Sequence, residues 1–220
     1  MYSIDHITLE MPDPAAADAF HTAAFGLDSR VRVRASEAPT TGFRGYAMSL
    51  VVAQPSIVDS LFGTALAGGA TPLKPATKSL WGYGGVLRDP YGTIWKIASS
   101  SKKNTGPHSR QIDQIVLLLG VADVAVTKRF YVERGLDVAK SFGRKYVEFD
   151  MPSSAVTLGL YGRRALAKDA SVAQDGSGSH RLIIGSNAGP FTDPDGFEWE
   201  TAPIASATSA PSSAGAPVAH

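Results

Sequence analysis

Asp89-Pro90-Tyr91-Gly92-Thr93-Ile94-Trp95-Lys96 returns as Asp193-Pro194-Asp195-Gly196-Phe197-Glu198-Trp199-Glu200, an offset of 104 residues (193 against 89). In each copy Pro fixes φ and Gly supplies a positive one, so Asp-Pro-x-Gly reads as a tight turn leading into a closing strand that contains Trp. Two further landmarks lie upstream. Ser3-Ile4-Asp5-His6-Ile7 returns as Gln111-Ile112-Asp113-Gln114-Ile115, an offset of 108 (111 against 3), and Phe25-Gly26-Leu27-Asp28 returns as Arg134-Gly135-Leu136-Asp137, an offset of 109 (134 against 25). Three landmarks in one order at nearly constant spacing imply two homologous domains, 1–101 and 111–204. The polar, Pro- and Gly-broken stretch 102–110 is the expected linker. The tail 205–220 is almost wholly Ala, Ser, Pro and Gly, too poor in apolar area to offset its ordering entropy, and is expected to be disordered.

Composition narrows the function classes. The 220 residues carry 21 basic and 20 acidic side chains, a formal net charge of +1. Neither nucleic acid nor an anionic membrane surface is an expected partner, because both need a concentrated basic face. The absence of Cys removes disulfides, thiolate zinc sites, iron–sulfur clusters and Cys nucleophiles, so any metal must be held by His, Gln, Asn, Asp or Glu. No basic segment followed by an apolar core opens the chain, and no apolar run approaches the roughly 20 residues that span a bilayer. A soluble, cytoplasmic protein is expected.

Each repeat reads as strand, helix, then several strands, an α+β pattern. Residues 3–11 alternate, which predicts Ile7, Leu9 and Met11 on one face and Ile4, His6, Thr8 and Glu10 on the other. Pro14 to Phe25 is Ala-rich, with Asp13 placed as its cap and Gly26 as its stop, so it reads as a helix. A second helix is predicted over 57–67, and a third over 121–134. Only about ten residues separate the strand 181–186 from the second Asp-Pro-x-Gly turn, so the second repeat is expected to lack its second helix. Trp81-Gly82-Tyr83-Gly84-Gly85 has neither the Lys-Ser/Thr ending nor the following helix of a phosphate loop, and reads as a tight strand turn.

These residues carry a family likeness. Ile-Asp-His-Ile on a first strand, a helix ending in Phe-Gly-Leu, Gly68-Gly69 after a second helix and a closing Asp-Pro-x-Gly-x-x-Trp-x strand resemble the vicinal oxygen chelate superfamily. That group includes glyoxalase I, extradiol dioxygenases and bleomycin-resistance proteins. The resemblance implies tandem domains of paired βαβββ modules, with curled mixed sheets enclosing a cup. It further implies metal ligands on the inward face of the first and last strands of a module. Carried over residue by residue, those positions are His6 and Lys96 in the first repeat and Gln114 and Glu200 in the second, with Ser49 and His180 on the remaining ligand strand. A fourth position, commonly Glu in the family, falls near Leu158 or Gly159. Lys96 is a cation near neutral pH and repels a divalent metal, so the first domain is expected to be metal-free. Gln114, His180 and Glu200 are the candidate ligands for Fe, Mn, Ni or Zn. Glu200 and Glu148 are the carboxylates available for proton abstraction, and His6, Ser49, Trp81, Tyr83, Lys96 and Tyr161 are the candidate substrate pocket.

Two readings follow from the resemblance. One is a metal-dependent enzyme of lyase, isomerase or dioxygenase type acting on a small oxygenated substrate. The other is a metal-independent protein that binds a small molecule or antibiotic in an aromatic cup. Glu200 and His180 favour the first, whereas Lys96, Gln114, Ser49 and the missing second carboxylate favour the other. Two repeats in one chain can supply the modules that single-domain relatives obtain by pairing, so monomer and homodimer are both open.

Overall fold

The computed structural model describes residues 2–107 and 109–202; the expected tail 205–220 lies outside the described residues. In chain order the first half comprises β1 (Ile4–Met11), α1 (Pro14–Phe25), β2 (Val31–Ala35), β3 (Thr40–Gly42), β4 (Tyr46–Val51), α2 (Pro55–Ala67), β5 (Thr71–Ser79), β6 (Gly82–Arg88) and β7 (Ile94–Ser99). The second comprises β8 (Gln114–Val121), α3 (Val124–Glu133), β9 (Asp137–Ser141), β10 (Tyr146–Asp150), β11 (Thr157–Gly162), α4 (Arg163–Asp169), β12 (Gly176–Gly178), β13 (Leu182–Ser186), β14 (Phe191–Thr192) and β15 (Glu198–Thr201). The helix starts follow local chemistry. Asp13 accepts from the Ala16 amide at 3.0 Å and Pro14 opens α1. Asp123 accepts from Ala125 at 2.8 Å, so α3 begins after its cap rather than at residue 121, which still belongs to β8.

The α+β class and the paired modules expected from the sequence are present, but the sheets pair across the repeat boundary. β4-α2-β5-β6-β7 and β8-α3-β9-β10-β11 are each a complete βαβββ module. They join through antiparallel β4 and β8 into one sheet of order β5-β6-β7-β4-β8-β11-β10-β9. The remaining strands form a sheet of order β14-β15-β13-β1-β2, joined through antiparallel β1 and β13. Here β1-α1-β2 lacks two strands, and no helix lies between β13 and β15, as the short spacing implied. β3 and β12 pair separately.

One hydrophobic core contains the inner faces of both sheets together with α1, α2 and α3. Ile4 belongs to it beside Ile7, Leu9 and Met11, contrary to the simple alternation. The cause is an irregularity of register between Ile4 and His6, where two steps on β1 match one on β13 and turn Ile4 inward. Among the described residues of 102–110 there is no helix or strand, and the segment is tied down. Gln54 Oε1 accepts from the amides of Thr105 and Gly106 at 2.9 and 2.7 Å, and Arg110 donates to the Ala24 carbonyl at 2.7 Å.

The repeated turn does more than reverse the chain. Asp89 Oδ1 accepts from the Tyr91 and Thr93 amides, both at 2.9 Å, while Oδ2 meets the Trp95 indole N–H and His21 Nε2 on α1, again at 2.9 Å. Asp193 repeats the pattern, with amides of Asp195 and Phe197 on Oδ1 and the Tyr131 hydroxyl of α3 on Oδ2 at 2.7 Å, while Trp199 donates to Tyr131. Gly92 and Gly196 have φ of +93° and +88°, the conformation the turn requires. Each half is therefore fastened by a buried carboxylate linking turn, helix and Trp, whereas the sheets fasten one half to the other.

Candidate functional site

The face of each sheet turned away from the common core is where side chains can meet a ligand. On the five-stranded sheet this face carries His6, Thr8 and Glu10 from β1, Arg32 and Arg34 from β2, Ile183 and Gly185 from β13, and Glu198 and Glu200 from β15. The placement follows from the registers His6↔Gly185, Gly185↔Glu200, Thr8↔Arg32 and Glu10↔Arg34. His6 is buried, and its ring lies over Gly185, where any Cβ would run into it. His6 Nε2 is 3.5 Å from Glu200 Oε1, and Nδ1 is buried with no hydrogen-bond partner. Arg34 reaches both acids, at 2.8 Å from Glu10 and 3.5 Å from Glu200. Burial, aided by the Arg32 cation and opposed by Glu200, holds the His6 imidazole below its ordinary pKa, so the neutral ring is favoured.

The eight-stranded sheet carries a different set on its outer face. Lys96 of β7, Ser49 of β4, Val116 of β8 and Thr157 of β11 lie side by side across four strands. A second apolar cluster covers part of this face, with Leu166 and Ala167 of α4 set on Ala47, Val86, Ile94, Val116 and Leu118. Helix α4 was not legible in the sequence. Its last residue, Asp169, meets Lys96 Nζ at 2.8 Å and Lys74 Nζ at 3.8 Å. Beside this ion pair is a cavity of about 370 Å³ whose lining includes Lys74, Trp81, Tyr83, Lys96, Ser99 and Asp169. Trp81 is 85% exposed at the tip of the β5–β6 hairpin, and the Tyr83 hydroxyl donates to Asp59 at 2.6 Å.

The cavity lining includes three of the residues expected to form a pocket, Trp81, Tyr83 and Lys96, but the Tyr83 side chain turns to the other face of the sheet, where it meets Asp59 of α2, and Ser49 lies beside Lys96. His6 belongs to the other sheet with Glu200. Tyr161 lies farther along the eight-stranded sheet, its ring 4.8 Å from that of Tyr146. Glu148, on β10, accepts from Lys140 at 2.9 Å and from the Tyr146 hydroxyl at 2.7 Å, a pairing in which both oxygens are engaged.

Gln114, His180 and Glu200 are not brought together. Gln114 lies on the eight-stranded sheet opposite Val51 and donates to Thr157 at 2.7 Å; the residue facing Ser49 is Val116. His180 precedes β13, stacked on Phe197 with ring centroids 4.0 Å apart, and both its nitrogens point at backbone carbonyls, those of Arg44 and Asp195. Neither nitrogen is free to bind a metal. Spacing along the chain put these residues on the right kind of strand, but the cross-half pairing that assigns each strand to a sheet depends on contacts far apart in sequence.

The donor sets can be tested against the divalent metal that the resemblance implies. Lys96, Ser49, Val116 and Thr157 offer an ammonium, two hydroxyls and an alkyl group, which do not fit a divalent ion. On the five-stranded sheet His6 and Glu200 offer two donors, but the Arg34 guanidinium is already paired with Glu10 and Glu200, and Arg32 adds a second cation. Among the described residues no group of three or more His, Asp or Glu side chains is arranged to hold a metal. These residues do not fit the ion. No helix among the described residues is long and apolar enough to cross a membrane.

No protein-family model matches the chain, and no curated protein matches it in sequence. Solved structures do. Glyoxalase I from Zea mays superposes with a TM-score of 0.59 at 14% identity, covering 90% of this chain and 91% of the maize chain. A putative dioxygenase from Bacillus subtilis gives 0.53 at 11% identity, covering 83% and 69%. At such identities the likeness is one of fold: this chain has a glyoxalase-like fold.

Proposed function

We propose that the protein binds a small molecule without a metal ion, in the cavity walled by β5, β6 and β7 on the outer face of the eight-stranded sheet. The observation that carries this reading is the row Lys96, Ser49, Val116, Thr157. It places a cation and no metal donor set at the centre of the face, next to a cavity edged by the exposed Trp81 ring. A volume of about 370 Å³ lies in the range of small-ligand pockets, and an aromatic ring supplies apolar contact area there without the ordering cost of longer side chains.

A metal-dependent enzyme of lyase or dioxygenase type is the second reading, favoured by one observation, the approach of buried His6 to Glu200 at 3.5 Å. Elemental analysis of protein purified without chelators, alongside a thermal-melting screen of ring-bearing small molecules, separates the two. Little bound metal together with a ligand-induced rise in Tm supports the binder. About one metal per chain, lost in Glu200→Ala, supports the enzyme.

A further inference from the structure

We propose that the ligand of this cavity is a small ring-bearing anion and that the Asp169 carboxylate occupies the place of its acid group. The inference rests on the binding role proposed above and adds the ligand's chemical class. Two ammonium groups from different strands, Lys74 on β5 and Lys96 on β7, converge at the cavity wall on the single carboxylate of Asp169. Among the residues lining the cavity there are two lysines and one aspartate, a surplus of one positive charge, and the remaining lining residues are uncharged. An anion is therefore favoured over a cation or a neutral molecule.

Asp169 is also poised to be replaced. Its side chain is 38% exposed and that of Lys96 32%, and an ion pair this open to water is held weakly enough for a ligand's acid group to take it over. Helix α4 need not leave the sheet for this to happen, because it is held by Leu166 and Ala167 in the apolar cluster and, at its other end, by Arg163 donating to the Phe43 carbonyl at 2.6 Å. Rotation of the Asp169 side chain alone frees both lysines. The ligand's ring then lies toward Trp81, where Gly84, on the same face of β6 as Val86 and Lys96, leaves the wall without a side chain. Trp81 is exposed in the absence of anything to cover it, which a bound ring would do.

The test is a fluorescence titration of the full chain with two probes of the same ring system. One is 8-anilino-1-naphthalenesulfonate, which carries an acid group, and the other is N-phenyl-1-naphthylamine, which does not. Asp169→Asn is expected to tighten the sulfonate by about tenfold and Lys96→Met to weaken it by about tenfold, with the neutral amine changing less than about threefold in either variant. Lys74→Met supplies a second variant should Lys96→Met fail to fold, and is expected to shift the sulfonate in the same direction. Sulfonate affinity that stays constant across these variants, or a neutral amine that follows the sulfonate, overturns the assignment of an anionic ligand. Failure of both probes to bind the parent, or binding of both that Trp81→Ala leaves intact, tells against the binding site itself.

Discussion

Trp95-Lys96 and Trp199-Glu200 occupy the same place in the two repeats, one residue turned into the core and the next turned out. The inward member has the same task in both: each Trp is buried and hydrogen-bonded into the cluster around a turn aspartate. The outward member is inverted in charge, and each outer face has acquired a counter-charge from elsewhere in the chain. Lys96 is met by Asp169 at the end of α4, and Glu200 by Arg34 on β2. The interiors are alike because a buried carboxylate with several donors admits few replacements, whereas the outer faces are open to water and carry different side chains.

The largest expected effect tests the shared interior. Asp89→Ala leaves two backbone amides, the Trp95 indole and buried His21 without their acceptor, and is expected to cost about 3–5 kcal/mol in denaturant unfolding. Asp193→Ala should cost less, about 2–3 kcal/mol, because its helix partner is the neutral Tyr131 hydroxyl rather than an imidazole. Equal losses would erase this distinction between the halves.

Both clusters hold a buried phenol raised above its ordinary pKa, Tyr46 near Asp89 and Tyr131 beside Asp193. Burial beside the Asp193 carboxylate holds the Tyr131 phenol well above its ordinary pKa. Its folded pKa is thus the higher one, so the stability it confers is complete below about pH 10, where the unfolded phenol begins to ionise, and is lost as pH rises beyond that. Tyr131→Phe should reduce this alkaline loss without removing it, because Tyr46 contributes in the other cluster, whereas His21→Gln should leave it in place. Coincident traces of phenolate absorbance and loss of circular dichroism in the parent, with no change in Tyr131→Phe, would contradict the assignment.

On the outer faces the effects are smaller. His6 has its folded pKa lowered chiefly by burial. The stability linked to its neutral ring is therefore present above the unfolded value of about 6.5 and lost as pH falls below it. Glu200→Gln removes a group that favours the protonated ring, and should lower the His6 pKa further in an NMR titration; a rise would show that Glu200 does not act on it. On the other sheet, Lys96→Met removes a partly exposed ion pair and is expected to change stability by no more than about 1 kcal/mol. A loss several times larger would mean that Asp169 anchors α4 rather than standing where a ligand can displace it.

Much of this arrangement was legible in the sequence because it is local. The Asp-Pro-x-Gly turns, the capped helix Pro14–Phe25 and the inward Trp95 and Trp199 all follow from neighbours within a few residues. What was not legible depends on distant partners. The irregular register that turns Ile4 inward arises from β1 lying against β13, near the other end of the chain. The separation of Gln114 from Glu200 follows from β8 pairing with β4 while β15 joins β13. Arg34 meets Glu200 only because β2 runs beside β1 in one particular register. Helix α4 was hidden because seven residues are too few for a helical period to stand out, and what holds them is a sheet face assembled from both halves. Trp81 and Lys96 come near one cavity because the hairpin that carries Trp81 adds its second strand beside the one that carries Lys96.

Neither outer face presents a free donor set for an ion: Asp169 meets Lys96 on one, and Arg34 meets Glu10 and Glu200 on the other. Equilibrium binding of nickel, measured by calorimetry on the parent and on Arg34→Met, tests this claim most directly. The parent should show no binding in the micromolar range, and Arg34→Met should not create tight binding, because among the described residues no three His, Asp or Glu side chains are arranged to hold an ion and His6 and Glu10 stand four residues apart on β1. Tight binding of about one ion by the parent, abolished by Glu200→Ala, would contradict the claim.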